Sequence, residues 1–155
     1  MILTLIRHAK SSWSDLSLDD FDRPLNERGN RDAPKMAQWF SKNTQEKPIF
    51  FSSSANRALS TAKFFEKELT PIKFNVVDDL YHANLQDYES LILENNSEKH
   101  IVIFGHNPTI SQVAEEMLKT KYVNLKTCSI CQINLVEPDT LSGELNFIKS
   151  PKELT

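Results

Sequence analysis

The sequence contains little glycine and no long apolar segment. Only three of its 155 residues are glycine, so each glycine is expected at a position where the backbone needs one. No apolar stretch approaches the ~20 residues of a membrane span, and the first apolar run is too short for a signal peptide and has no basic segment before it. These absences predict a cytoplasmic protein without a membrane partner.

Cysteine is also scarce. The two cysteines, Cys128 and Cys131, are spaced as C-x-x-C, but a structural zinc site requires two further ligands. Residues 129–135 alternate like a strand, on which residues three apart point to opposite faces. We therefore predict two packing cysteines, with no metal and no disulfide between them.

The chain has no excess of basic charge. Its 18 lysines and arginines face 21 aspartates and glutamates, and the formal net charge is -3. This balance excludes a nucleic-acid partner bound through a general basic surface, although it allows a local basic pocket. The length and the hydrophobic fraction of 39% predict one globular domain over residues 1–150. Residues 151–155 lack apolar periodicity and are expected to form a short tail.

Strand-like and helix-like segments alternate along the chain. Strands are predicted at residues 2–6, 48–51, 74–77, 101–104, 129–136 and 144–149, and helices at 26–42, 58–69, 85–93 and 108–119. Pro34 indicates a kink or a later start of the first helix, and Asn84 and Asn107 are the expected N-caps of the last two. This alternation predicts an α/β fold, a three-layer α/β/α sandwich with a mostly parallel central sheet.

Arginine and histidine follow three of the predicted strands. Arg7 and His8 come directly after the first strand, Arg57 follows the second, and His106 follows the fourth. In open α/β sheets, ligands bind beyond the carboxyl ends of the strands, and helix N-termini there favour anions. A guanidinium binds phosphate through a planar fork of donors, and a neutral imidazole can act as a nucleophile. Together, the two arginines and two histidines predict a phosphate pocket. His100 lies before a strand and is expected at the surface.

Taken in order, these motifs resemble the histidine phosphatase superfamily, whose fold is phosphoglycerate mutase-like. Arg7-His8-Ala9 is similar to its Arg-His-Gly motif, with alanine in place of glycine. A second arginine follows a Ser-rich loop within residues 52–62, and a second histidine follows a strand within residues 102–107. Residues 22–29 look like its Pro-Leu-x-x-x-Gly segment. The short length and residues 7–13 are most similar to SixA-type phosphohistidine phosphatases.

The resemblance implies a metal-independent phosphatase without a cofactor. His8 Nε2 would attack phosphorus and carry a phosphohistidine intermediate, while its Nδ1–H donates to a backbone carbonyl. Arg7, Arg57 and a protonated His106 would bind the phosphoryl oxygens. Ser14, in the loop beside the motif, is expected to line the mouth of the pocket and contact substrate.

The sequence leaves the proton donor open between Asp79 and His82. Cleavage of an ester needs a placed donor because an alkoxide is a poor leaving group, whereas imidazole leaves far more readily once it is protonated. The lack of a clearly placed carboxylate therefore favours a substrate that carries phosphohistidine on a protein. The alternatives are a phosphatase for a small phosphomonoester and, less favoured, a catalytically silent phosphate-binding module, which would have no need of a nucleophile.

Overall fold

The computed structural model describes residues 1–154 and contains every strand and helix that the sequence predicts, each within two residues at either end. The strands are β1 (Ile2–Arg7), β2 (Ile49–Ser53), β3 (Lys73–Val77), β4 (His100–Gly105), β5 (Ile130–Glu137) and β6 (Ser142–Lys149). The α-helices are α1 (Glu27–Lys42), α2 (Asn56–Leu69), α3 (Leu85–Glu94) and α4 (Thr109–Leu118). Short 3-10 turns cover Asp20–Asp22, Asp78–Leu80, Pro138–Thr140 and Pro151–Leu154.

All six strands form one sheet in the order β3-β2-β4-β1-β5-β6. Strands β1 to β4 run parallel to one another, whereas β5 is antiparallel to both of its neighbours, β1 and β6. Strand β4 lies in the centre and is buried over its whole length, as its apolar sequence predicts. The predicted three-layer sandwich with a mostly parallel sheet is confirmed.

Each face of the sheet has its own hydrophobic core. Helices α1 and α2 pack on one face through side chains such as Met36 and Phe65, and α3 and α4 pack on the other through Tyr88 and Met117. The two cysteines are free and buried in different cores, Cys128 on the α1 side and Cys131 on the α4 side. The prediction of packing cysteines is confirmed, and burial raises the pKa of the Cys131 thiol to about 12.

The predicted helix cap is confirmed at α3 but not at α4. Asn26 caps α1, which runs through Pro34 without a later start. Asn84 caps α3 within a capping box, as predicted. At α4 the cap position is Pro108, and the predicted cap Asn107 instead donates to the Leu125 carbonyl at 2.9 Å. Its side chain is thus used to hold the segment after α4.

Tertiary packing corrects the surface assignment of His100. His100 is only 1% exposed, because its ring lies 2.8 Å from Thr4 Oγ1 and 3.1 Å from the Glu46 carbonyl oxygen. In the segment predicted as a tail, Leu154 packs against the core on the α1 side; Thr155 lies outside the described residues. Within residues 1–154, no helix is both long and apolar enough to cross a membrane.

Candidate active site

The sheet register brings the ends of β1, β2 and β4 to one edge. Arg7 pairs with Gly105 across β1 and β4, and the backbone N–H of His8 donates to the Gly105 carbonyl at 3.1 Å. The rings of His8 and His106 therefore lie close, with centroids 5.1 Å apart. Arg57, in the first turn of α2, reaches the same edge from β2. The structure thus places together all four residues that the sequence singled out.

The ring of His8 is held as a neutral base. Its Nδ1 lies 2.8 Å from the Ala9 carbonyl oxygen, and because a carbonyl only accepts, Nδ1 carries the proton. Burial, the largest cause, and the nearby cationic groups such as Arg57 and Arg7 together lower the pKa of His8 to about 3, although the hydrogen bond to the Ala9 carbonyl acts in the opposite direction. The lone pair of Nε2 is therefore available near neutral pH, in the tautomer that the sequence argument expects.

The ring of His106 is neutral in the protein without a ligand, whereas the protonated ring expected with a bound phosphoryl group stays a prediction. Burial, and then the charge of Arg57, lower the pKa of His106 to about 4. Its Nε2 lies 2.8 Å from Ser53 Oγ, a partner that the motif did not identify. The residue before it is glycine, and a Cβ on Gly105 would collide with the Tyr88 hydroxyl. When the Ser53 hydroxyl donates to Nε2, the proton of His106 resides on Nδ1.

Arg57 is held by a carboxylate that sequence reasoning missed. Asp20 accepts from Arg57 Nη2 through Oδ2 at 3.0 Å and from Nη1 through its backbone carbonyl at 2.8 Å. The same carboxylate accepts from the Tyr81 hydroxyl at 2.6 Å and pairs with Arg23 at 3.0 Å. The Tyr81 hydrogen bond, and then the arginines, hold the pKa of Asp20 far below its usual range. Asp20 therefore stays ionised and orients Arg57, and it has no proton to donate.

Several buried polar atoms of this site have no partner. Among residues 1–154, five buried side-chain polar atoms lack a hydrogen bond, and three of them are Arg7 Nε, Arg57 Nε and His106 Nδ1. Buried donors are almost always paired in native proteins, so three unpaired ones at one sheet edge indicate a ligand rich in acceptors. A phosphoryl group, with three strong acceptor oxygens and negative charge, meets that requirement.

The structure separates the two candidate proton donors. His82 is exposed, but its ring stacks 4.0 Å from that of Tyr81, and it lines a cavity of about 240 Å³ together with His106. Asp79 is exposed on the turn Asp78–Leu80 and does not line this cavity. Ser14 is exposed on the loop, and its Oγ lies 2.8 Å from Ser12 Oγ. The roles of Asp79, His82 and Ser14 stay predictions.

The depressed pKa values predict a specific pH behaviour. Both histidine rings are expected to stay neutral down to about pH 5, since their pKa values are about 3 for His8 and about 4 for His106. Unfolding restores a pKa near 6.5, so the unfolded state binds more protons below that pH. The free energy of unfolding should therefore fall as the pH drops from about 6.5 toward 4. Ring-¹⁵N NMR titration of the folded and urea-unfolded chain measures both effects. Titration of either folded ring above pH 6 would contradict the burial argument.

The family model of the histidine phosphatase superfamily (branch 1) matches residues 3–92 of the chain. The chain belongs to the histidine phosphatase superfamily. The family recognised from the order of the motifs is thereby confirmed.

One curated relative is an uncharacterized chloroplastic protein of Arabidopsis thaliana, 35% identical over 138 residues. The match covers 82% of this chain and 63% of that protein, so this chain spans less than two-thirds of the relative's length.

Solved structures of this superfamily have the same fold. A protein from Agrobacterium tumefaciens assigned as the phosphohistidine phosphatase SixA is 25% identical, with a TM-score of 0.87 over 97% of each chain. The protein histidine phosphatase SixA in complex with tungstate is 21% identical, with a TM-score of 0.89 over the full length of both chains. A phosphoserine phosphatase from Entamoeba histolytica is 18% identical, with a TM-score of 0.72 over 99% of each chain.

Proposed function

We propose that this histidine phosphatase forms a phosphohistidine intermediate on His8, without a metal, and takes the phosphoryl group from phosphohistidine on a protein. The observation that carries the proposal is the neutral His8 ring beside three buried, unpartnered polar atoms on Arg7, Arg57 and His106. This combination supplies a nucleophile and an anion-binding site at one place. A binding module without catalysis has no use for the oriented Nε2.

In the proposed reaction, the Nε2 lone pair of His8 forms a bond to phosphorus as the bond to the substrate imidazole breaks. The other nitrogen of that imidazole is protonated, so it leaves as a neutral ring. The Nε–H groups of Arg7 and Arg57 and the Nδ1–H of His106 donate to the equatorial oxygens, where charge is spread in the transition state. The Ala9 carbonyl stabilises the positive charge that develops on His8. Water then attacks phosphorus, releases phosphate and restores neutral His8.

The side chains around the site favour a nitrogen leaving group. Asp20, the carboxylate that contacts Arg57, is held ionised by Tyr81 and two arginines, and Asp79 is not among the residues that line the cavity at His106. An alkoxide would therefore leave without protonation by a carboxylic acid, which costs a large part of the rate of ester cleavage. A phosphohistidine substrate tolerates this arrangement.

The loop that carries Asp20 supports a protein as the substrate. Large apolar side chains stand exposed on it, namely Trp13, Leu16, Leu18 and Phe21, with exposed fractions from 38% to 88%. Exposed apolar surface is a common feature of protein-binding sites, and this loop is joined to Arg57 through Asp20. The loop thus offers contact area to a macromolecule that presents its phosphohistidine to His8.

One observation favours a second function, cleavage of a small phosphomonoester. His82 lines the cavity at His106, and a protonated imidazole at that position would protonate an alkoxide. The phosphoserine phosphatase of similar fold acts on such an ester, as its name says. This function therefore depends on His82.

A direct rate comparison separates the two functions. The wild-type protein, assayed in EDTA, is expected to cleave a histidine-phosphorylated protein with a kcat/KM at least about 100-fold above that for phosphoserine, whose alkoxide needs a proton donor; this is the order of effect that a missing general acid produces. His82→Asn should leave the phosphohistidine rate within about twofold. Equal or faster cleavage of phosphoserine, with a large loss in His82→Asn, would establish the ester function instead. Strong inhibition by EDTA would contradict the metal-independent mechanism.

A further inference from the structure

A groove lined by basic side chains includes Arg7, the chain neighbour of His8. Its volume is about 610 Å³. We define the cationic groove by the basic residues that line it besides Arg7, namely Lys10, Arg28, Arg31, Lys35, Lys126 and Lys152. Such a concentration of positive charge stands out in a chain whose net charge is -3.

Helix α1 supplies a row of these cations along one face. Arg28, Arg31 and Lys35 are spaced i, i+3 and i+7, which places them on one side of a helix. At a rise of 1.5 Å per residue, the row extends about 10 Å along the helix axis. The cationic groove therefore matches an extended ligand with several negative charges better than it matches a single anion.

The charge of the groove is poorly neutralised by the protein itself. Asp32 is the acidic residue in the lining, and it lies 3.9 Å from Arg28 and 3.6 Å from Arg31. Among residues 1–154, no carboxylate forms an ion pair with Lys10, Lys35 or Lys126. The positive potential is thus directed outward, where it can attract a ligand and accelerate its association.

The exposure of the groove indicates the kind of ligand. Arg28, Arg31, Lys35 and Lys126 are all exposed, whereas sites for small molecules bury most of the ligand surface. An open cationic surface suits an acidic segment of a protein, whose carboxylates can lie along it. We propose that the cationic groove docks an acidic segment next to the phosphohistidine of the protein substrate. This inference rests on the proposed function, since it names the feature by which that substrate is recognised.

Two synthetic phosphohistidine peptides of equal length test the inference. One carries four glutamates on one side of the phosphohistidine, and the other carries four glutamines there. The wild-type protein is expected to cleave the glutamate peptide with a kcat/KM at least about tenfold higher, within the range of electrostatic steering. The ratio should fall toward 1 as the NaCl concentration rises from about 0.05 to 0.5 M, because salt screens exposed charges.

Charge reversal on α1 provides the matched variants. In R31E/K35E, the ratio of kcat/KM for the glutamate peptide to kcat/KM for the glutamine peptide is expected to fall below about 2. R31Q/K35Q should give a ratio between that value and the wild-type ratio, as charge-driven association requires. The control is K63E/K67E, which reverses two exposed lysines with the same i, i+4 spacing on α2, outside the groove. It changes the net charge equally, so its ratio should stay close to that of the wild type.

The outcomes distinguish this inference from the proposed function. Cleavage of both peptides at equal rates by the wild type would overturn the groove inference and leave the phosphohistidine function standing. An equal fall of the ratio in the α2 control would also overturn it, since net charge and not the groove would then be responsible. Cleavage of an aryl phosphate but of neither peptide would overturn both proposals.

Discussion

His8→Ala is expected to lower kcat by about 10⁴-fold or more, the order seen when a covalent nucleophile is removed. The expectation rests on the geometry of a ring whose Nδ1–H is bound to the Ala9 carbonyl and whose pKa is about 3. The other buried imidazole of the site, that of His106, has its Nε2 already bound to Ser53. The measurement is single-turnover release of phosphate from a phosphohistidine peptide.

The variant must also be shown to keep its anion site. Arg7, Arg57 and His106 remain in His8→Ala, so binding of tungstate or vanadate by calorimetry should persist with a Kd within about tenfold of the wild type. Acid-labile ³²P should be trapped on the wild-type protein during turnover and not on the variant. Residual turnover within about tenfold of wild type would rule out His8 as the nucleophile.

Arg57→Ala is expected to have the second-largest effect, a loss of about 10²- to 10³-fold in kcat, as for other single donors to a transition-state oxyanion. Its guanidinium is buried, and its Nε has no partner within residues 1–154, so the donor is available to the phosphoryl group. Arg57→Lys should recover only part of the rate, because an ammonium keeps the charge but not the planar fork. The measurement is kcat and KM on the phosphohistidine peptide.

Asp20 offers a test of whether the position of this guanidinium matters as well as its charge. Asp20→Asn keeps the size of the side chain and removes the charge that accepts from Arg57 and Tyr81. Because the asparagine holds Arg57 less firmly, kcat should fall by about tenfold, with a smaller change in KM. An Arg57→Ala/Asp20→Asn double variant no worse than Arg57→Ala would show that Asp20 acts through Arg57. An additive loss would assign Asp20 a separate role.

The strands, the helices and the four central residues were predictable because their signals are local. The apolar run of β4, the cap Asn84 and the Arg7-His8 junction each lie within a few consecutive residues. Parallel strands then force their carboxyl ends to one edge, so Arg7 and His106 had to meet once β1 and β4 paired. The helix cap of α4 was mistaken because Asn107 has a long-range partner, the Leu125 carbonyl, that no local pattern indicates.

The sequence by itself determined the fold class and the residues that stand at the site, since hydrophobic periodicity and turn chemistry act between near neighbours. Only the tertiary structure decided the state of those residues. Asp20 contacts Arg57 across 37 positions, and Ser53 contacts His106 across 53, so neither partner was visible in a motif. The neutral state of His106 and the burial of His100 also depend on tertiary packing, because burial is a property of the packed chain. Desolvation shifts the pKa of each buried group and so sets its protonation state. It arises only when segments that are distant in the chain pack together and exclude water.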